Sequence, residues 1–397
     1  MPNVPPLRFP EFTGEWEKFA LSDFTERVTR RNKGNICRLP LTISAQYGLV
    51  DQITFFNKQI ASADMSNYYL MKKGEFTYNK SYSGDYPWGA VKRLDRYEEG
   101  CLSSLYICFS LKPFVNSDFI THYFETRKWY RGISEIAGEG ARNHGLLNIA
   151  IPDYFATKHY LPANSKEQQK IADLFNLLTK RIETQIRVIE DLQTLKKAIS
   201  TQLLYGGSLK DTISLAELGT LKNGYAFKSS TYCENGNYNI ITIANVTGDR
   251  YVSADSNRVL DQPCDIQEHQ VLKENDILIS LTGNVGRVSL NKGTCNLLNQ
   301  RVGLFELRDN SLREYIFQVL STPQFENAMK NKGQGAAQMN IGKYDIEEYH
   351  IPYSMNHNEL LKISKILSFF DNKIQIENKL LYLLVRQKAF LLQQMFI

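Results

Sequence analysis

The sequence predicts an α+β fold with a pseudo-two-fold internal repeat: two mainly-β blocks with small helices, separated by two long antiparallel coiled-coil helices. Three observations carry this. Two long heptad seams lie 192 positions apart, short sequence echoes occur in the same order in both halves, and both blocks show strand-like punctuation.

The helices give the strongest signal. In the first, Ile171, Phe175, Leu178, Ile182, Gln185, Ile189, Leu192, Lys196, Ile199 and Leu203 follow alternating steps of four and three; in the second, Ile363, Leu367, Phe370, Ile374, Glu377, Leu381, Leu384, Lys388, Leu391 and Met395 do the same. A sustained seam of this kind requires a partner helix. Gly206 and Gly207 mark the end of the first helix, where a left-handed cap is easiest. Parallel pairing would set Lys196 against Lys388, whereas antiparallel pairing matches Lys196 with Glu377 and Gln185 with Lys388. The second choice satisfies the polar seam positions. Such pairs add little stability but fix register. Each periodic run covers about 33 residues, or roughly 50 Å at 1.5 Å per residue.

The blocks repeat as well. "NIAIPDYFATKHYLP" precedes the first helix and "NIGKYDIEEYHIP" the second; "LMKKGEFTYNKS" is echoed by "VLKENDILISLT", "LSSLYICFSL" by "LNQRVGLFEL", and "FALSDF" by "ISLAEL". A repeat this long is a duplicated domain with its helix, not a solenoid unit. Runs such as "CLSSLYICFSL" and "DILISLT", bounded by Gly, Asn and Asp, read as strands. The resulting segments are 1–163 for the first block, 164–205 for the first helix, 206–355 for the second block and 356–397 for the second helix.

Composition excludes several classes. With 43% hydrophobic and 22% charged residues, the chain reads as folded and soluble. No apolar run reaches the roughly 18 residues of a membrane span, and the N-terminus lacks a signal-peptide pattern. Six scattered cysteines without a CxxC pair, and six histidines without paired spacing, point to free thiols in a cytoplasmic protein and to no metal site. The net charge of +5 permits a polyanionic partner without requiring one.

Polar, aromatic and glycine-rich stretches supply candidate DNA contacts, because Lys and Arg meet phosphates while Asn, Gln and Arg read base edges. In the first block these are Gln46 and Tyr47; Lys80, Tyr82, Ser83, Tyr86, Lys92 and Arg93; and Arg142, Asn143 and His144 in "GEGARNHG". In the second they are Lys222, Asn223, Tyr225 and Lys228; Thr282, Asn284 and Arg287; Asn299, Gln300 and Arg301; and Gln334 and Gln338. The same residues also fit hairpins with core aromatics and solvated loops. No residue is assigned to catalysis, a metal or a cofactor.

The arrangement, with "LRFPEFTGEWEKFALSDF", "NSKEQQKIADLF", "KNGYAFKSSTY", "DILISLTGNVGRV", "LNQRVGLF" and "GEFTYNKSYSGDYPWGAVKRL", resembles the specificity subunit of Type I restriction–modification systems over nearly the whole chain. "NHNELLKISKILSFF" departs from the family's usual helix head. The resemblance implies two target-recognition domains, each reading part of a split double-stranded DNA site, with helices that set the unread gap and dock two modification subunits. Two motor-nuclease subunits can join. It places S-adenosylmethionine, ATP and Mg in those partners, and the sequence agrees in lacking GxxxxGK[ST], Asn-Pro-Pro-Tyr/Phe and a strand-linked GxGxxG. A coiled-coil scaffold joining two protein-binding modules, and an enzyme such as a nuclease, remain the alternatives from other classes.

Overall fold

The computed structural model describes residues 3–44, 47–58, 60–81, 85–137, 145–207, 209–253, 256–333 and 339–397. The chain divides into two compact units, Met1–Gln185 with Leu381–Ile397, and Ile186–Leu380, so each unit takes a globular block together with part of both long helices.

In the first unit a four-stranded antiparallel sheet runs in the order Thr25–Arg27, Ile107–Leu111, Phe76–Asn79, Ala90–Arg93. In the second, Gly219–Asn223, Val302–Leu307, Ile277–Ser280 and Val288–Leu290 follow the same order. Each unit also ties the start of its block to the strand leading into a long helix: Glu17–Ala20 pairs with Lys158–Leu161, and Asp211–Ser214 with His350–Tyr353. The predicted echoes thus mark equivalent strands, and the internal repeat is structural. The cores follow the alternation of the strands. Phe76, Tyr78, Phe109 and Phe119 are fully buried in the first unit, as are Ile277, Ile279, Phe305 and Phe325 in the second.

The long helices span Ser165–Tyr205 and His357–Met395. The first stops where predicted: the Gly206 amide still donates to the Gln202 carbonyl, and Gly207 turns away at φ +90°. In the first unit the head of the first helix lies beside the tail of the second, with Lys388 Nζ 2.9 Å from Thr179 Oγ1. In the second unit the tail of the first lies beside the head of the second, with Lys196 Nζ 2.5 Å from Asp371 Oδ1. The helices are therefore antiparallel, as expected, but the expected partners are wrong. Lys196 meets Asp371 rather than Glu377, and Lys388 meets Thr179 rather than Gln185. Glu377 instead takes Lys373 one helical turn earlier, at 2.6 Å. The two observed contacts are images of one another under the repeat, since Lys388 and Asp371 each follow Lys196 and Thr179 by 192 positions. Register is set by how each block seats on the helices, a constraint that matching polar seam positions does not contain.

Block side chains complete both contacts. Glu125 Oε2 lies 2.9 Å from Lys388 Nζ in the first unit. In the second, Asp371 Oδ2 also accepts from Arg250 Nη1 at 3.0 Å and Gln318 Nε2 at 2.6 Å, while Arg250 Nη2 meets Glu314 at 2.7 Å.

Candidate nucleic-acid interface

Antiparallel pairing gathers segments that are far apart in sequence. In the second unit, Asn223 stands opposite Gly303 and Ser280 opposite Val302, so the end of one strand, the start of the next and the end of the third share one edge of the sheet. Backbone hydrogen bonds continue past the strands. The Tyr225 amide donates to Leu298 O at 2.8 Å, Gln300 N to Tyr225 O at 2.9 Å, Leu281 N to Arg301 O at 3.0 Å and Gly283 N to Met339 O at 3.0 Å. A Cβ on Gly224 would lie 2.2 Å from Asn299 O, so only glycine allows this approach. Asn223, Tyr225, Thr282, Asn284, Asn299, Gln300 and Arg301, chosen from three sequence segments, come together here.

At the centre of this edge is a tight turn. Buried Asn299 accepts the Arg301 amide on Oδ1 at 3.2 Å, and Val302 N closes the turn onto Asn299 O at 2.9 Å. Asn299 is thus a turn-former, while Gln300 and Arg301 are pushed outward and exposed. Asn223, Lys228 and Asn284 are exposed as well. Tyr225 and Thr282 are half-buried, their hydroxyls held by Asp265 at 2.8 Å and Asn340 at 3.2 Å. The bond to Asp265 raises the Tyr225 phenol above its ordinary value. Lys222 faces Glu306 at 3.4 Å and Arg287 faces Glu326 at 3.9 Å, both loose pairs on partly exposed side chains.

The first unit builds the same turn from different letters. Ser103 Oγ accepts the Leu105 amide at 3.4 Å and Tyr106 N closes onto Ser103 O at 3.2 Å, leaving Ser104 and Leu105 exposed. Sequence reasoning missed both residues, although the echo of "LNQRVGLFEL" in "LSSLYICFSL" already aligns them with Gln300 and Arg301. Nearby, the Lys80 carbonyl takes the Leu147 amide at 2.9 Å, as Leu281 takes Ile341 at 2.9 Å. Half-buried Lys80 and Tyr86 flank this edge, and exposed Tyr47 tips the hairpin of Leu41–Ser44 with Gly48–Asp51.

Two first-block candidates are engaged elsewhere. The Arg93 guanidinium is held by Asp95 at 2.6 Å and Asp118 at 2.7 Å, with Ser117 at 2.8 Å, a structural role inside the block. Lys92 faces Glu125 and Lys388; burial pushes its ammonium below the ordinary value, with Glu125 opposing and Lys388 adding to that fall. Gln46, Tyr82, Ser83, Arg142, Asn143, His144, Gln334 and Gln338 lie outside the described residues. Among the described residues no cluster of His, Cys, Asp and Glu could hold a metal ion, and no helix is long and apolar enough to cross a membrane.

Residues 208–384 match the family model of the Type I restriction modification DNA specificity domain. The fold is similar to that of the Type I restriction–modification S subunit from M. genitalium, at 17% identity over 99% of each chain with a TM-score of 0.60. It is also similar to a chain from a structural study of complex assembly and conformational transition of the type I R-M system, at 14% identity over 98% of this chain and 99% of that one, TM-score 0.58.

Proposed function

We propose that the chain is a DNA-recognition subunit of a Type I restriction–modification system, and that each of its globular blocks reads one part of a split double-stranded site through the edge of its four-stranded sheet; the family-model match over residues 208–384 supports this reading. The observation that carries this reading is the turn shared by both repeats, which holds one scaffold constant while exposing Gln300 and Arg301 in one block and Ser104 and Leu105 in the other. Arg pairs bidentately with guanine O6 and N7, Gln with adenine, and an apolar tip meets the thymine methyl group. Asn284 and Lys228 flank the second reader with a further base-edge donor and a phosphate partner.

The long helices act as the spacer that sets the unread gap, and they carry the modification subunits, two in a complete complex, to which motor-nuclease subunits attach. Methylation with S-adenosylmethionine and any ATP- and Mg-dependent step belong to those partners, and the chain works in the cytoplasm without chemistry of its own. Exchanging residues 1–160 for the equivalent block of a relative tests the reading. Methylated sites should change in one part and keep the other; a change in both parts would sink the model of independent readers.

A further inference from the structure

Each block grips its helices through an apolar patch and a polar contact at the end of it, and the difference between the two points to a role beyond cohesion. The first grip is apolar. Ile171, Ala172 and Phe175 join the core of the first block, and Ile363 and Leu367 that of the second. The second grip is the polar contact at Thr179 and Lys388, or at Lys196 and Asp371. The apolar residues run on to Leu178 in the first helix and to Leu367 in the second, so the polar contact closes the end of that patch, at the next residue, Thr179, and one turn on, at Asp371.

An apolar patch resists separation but sets orientation less sharply than a polar contact, because hydrophobic contact is non-directional. A charged hydrogen bond at 2.5–3.0 Å fixes direction. Resting on the reading of the chain as a split-site DNA reader, we infer that Glu125 and Asp371 are positioning residues that fix the tilt of each reader on its helices and so hold the chain to one gap length. Each ties three elements together, Asp371 directly and Glu125 through Lys388. Glu125, at the end of the helix Ser117–Glu125, meets Lys388 of the second long helix, which meets Thr179 of the first. Asp371 of the second long helix meets Lys196 of the first, Arg250 of the block and Gln318 of the block helix Arg313–Leu320. Neither belongs to the sheet edge, so base identity should be indifferent to them.

One base pair added to the gap moves the far part of the site by about 3.4 Å and rotates it by roughly 35°. A reader locked by the directional contact cannot follow that change, whereas a reader seated on the apolar patch alone can tilt toward it.

The test uses the full chain in complex with its neighbouring methyltransferase subunit. DNA duplexes would carry the methylated site of the wild-type complex, with the gap unchanged or altered by one base pair in either direction. Wild type should bind the altered duplexes about 100-fold more weakly. Asp371→Asn and Glu125→Gln, which keep size and polarity, should narrow that penalty to about tenfold, with the required bases unchanged, while Asp371→Glu should restore selectivity. An unaltered gap penalty in a folded variant would overturn the inference, as would loss of base preference alongside it. A melting curve for each complex separates a tilt from unfolding; if an isosteric variant unfolds, the residue is a structural support and the inference fails. Absence of any site-specific binding by wild type would instead defeat the underlying reading.

Discussion

The turns Asn299–Arg301 and Ser103–Leu105 are one device built twice. Both start with a side-chain oxygen that accepts the amide two residues on, and both are closed by a backbone bond back to the first residue. The backbone path is shared, while the residues differ: Asn299 against Ser103 forms the turn, and the exposed tips are Gln300 and Arg301 against Ser104 and Leu105. The same division between constant frame and variable chemistry recurs where blocks meet helices. The equivalent lysines 196 and 388 reach equivalent positions, but Asp371 supplies an anion from the partner helix, while Thr179 does not and Glu125 of the block must. Duplication has preserved geometry, and each copy has changed its side chains within that geometry.

The largest effect should break the symmetry of these contacts. Asp371 is the shared counter-charge of Lys196 and Arg250, and its side chain is 9% exposed. Asp371→Ala should cost about 3 kcal/mol, toward the lower end of the range for one lost partner of a buried pair because Arg250 retains Glu314. Thr179→Ala, at the equivalent position, removes one hydroxyl and should cost about 1 kcal/mol. Denaturant melts of the two variants would show equal losses if the two positions were interchangeable.

Next come the tips. Arg301→Ala should weaken discrimination at one base pair by about 1–3 kcal/mol, in the part of the site read by the second block alone. Competition binding with singly substituted duplexes measures this, and relaxed preference in both parts would contradict it.

Acid should destabilise the first unit in two stages. His159 is buried between Tyr123 and Thr157, each 2.8 Å from a ring nitrogen, and burial holds its pKa down to about 3. Although burial pushes the Glu125 carboxyl up, the His122 hydrogen bond and the Lys388 charge hold its pKa down to about 2. Both folded values lie below the unfolded ones, so the unfolded chain binds more protons as pH falls and stability is lost. For His159 the loss begins near pH 6.5 and runs to about 3; for Glu125 it begins near 4.5 and runs to about 2. Asp118, Asp51 and Glu347 are also held below their ordinary values, so Glu125→Gln should shrink the second stage without abolishing it and leave the first, as followed by melting temperature against pH.

Much of this frame was legible in the sequence. The heptads gave both helices, the polar seam positions gave their opposed directions though through the wrong partners, the ordered echoes gave equivalent strands, and polar runs beside glycine marked the edge that gathers Asn284, Gln300 and Arg301. What stayed hidden was pairing. Arg93 and Arg301 look alike as letters, yet one faces Asp95 and Asp118 inside a block and the other faces outward from a turn. Lys196 has acidic residues at both Asp371 and Glu377 to choose from, and the choice depends on Arg250 and Gln318, which approach from a block more than 50 residues away in sequence. Ser104 and Leu105 escaped notice because neither is a usual base-reading type; alignment of the two repeats was the available signal.

The smallest effect on the fold is expected at Leu105. The side chain is 60% exposed, so Leu105→Ala should change stability by no more than about 0.5 kcal/mol, while altering only the part of the site read by the first block. Selection of unchanged sites by this variant would remove Leu105 from the reader.

The most direct measurement is a genome-wide map of adenine methylation in a host lacking it, with the chain expressed beside its methyltransferase subunit, first as wild type and then as Gln300→Ser with Arg301→Leu. The two-reader account predicts a split motif whose one part changes with the double substitution while the other part and the gap stay fixed. An undivided motif, or a double substitution that alters both parts, would contradict it.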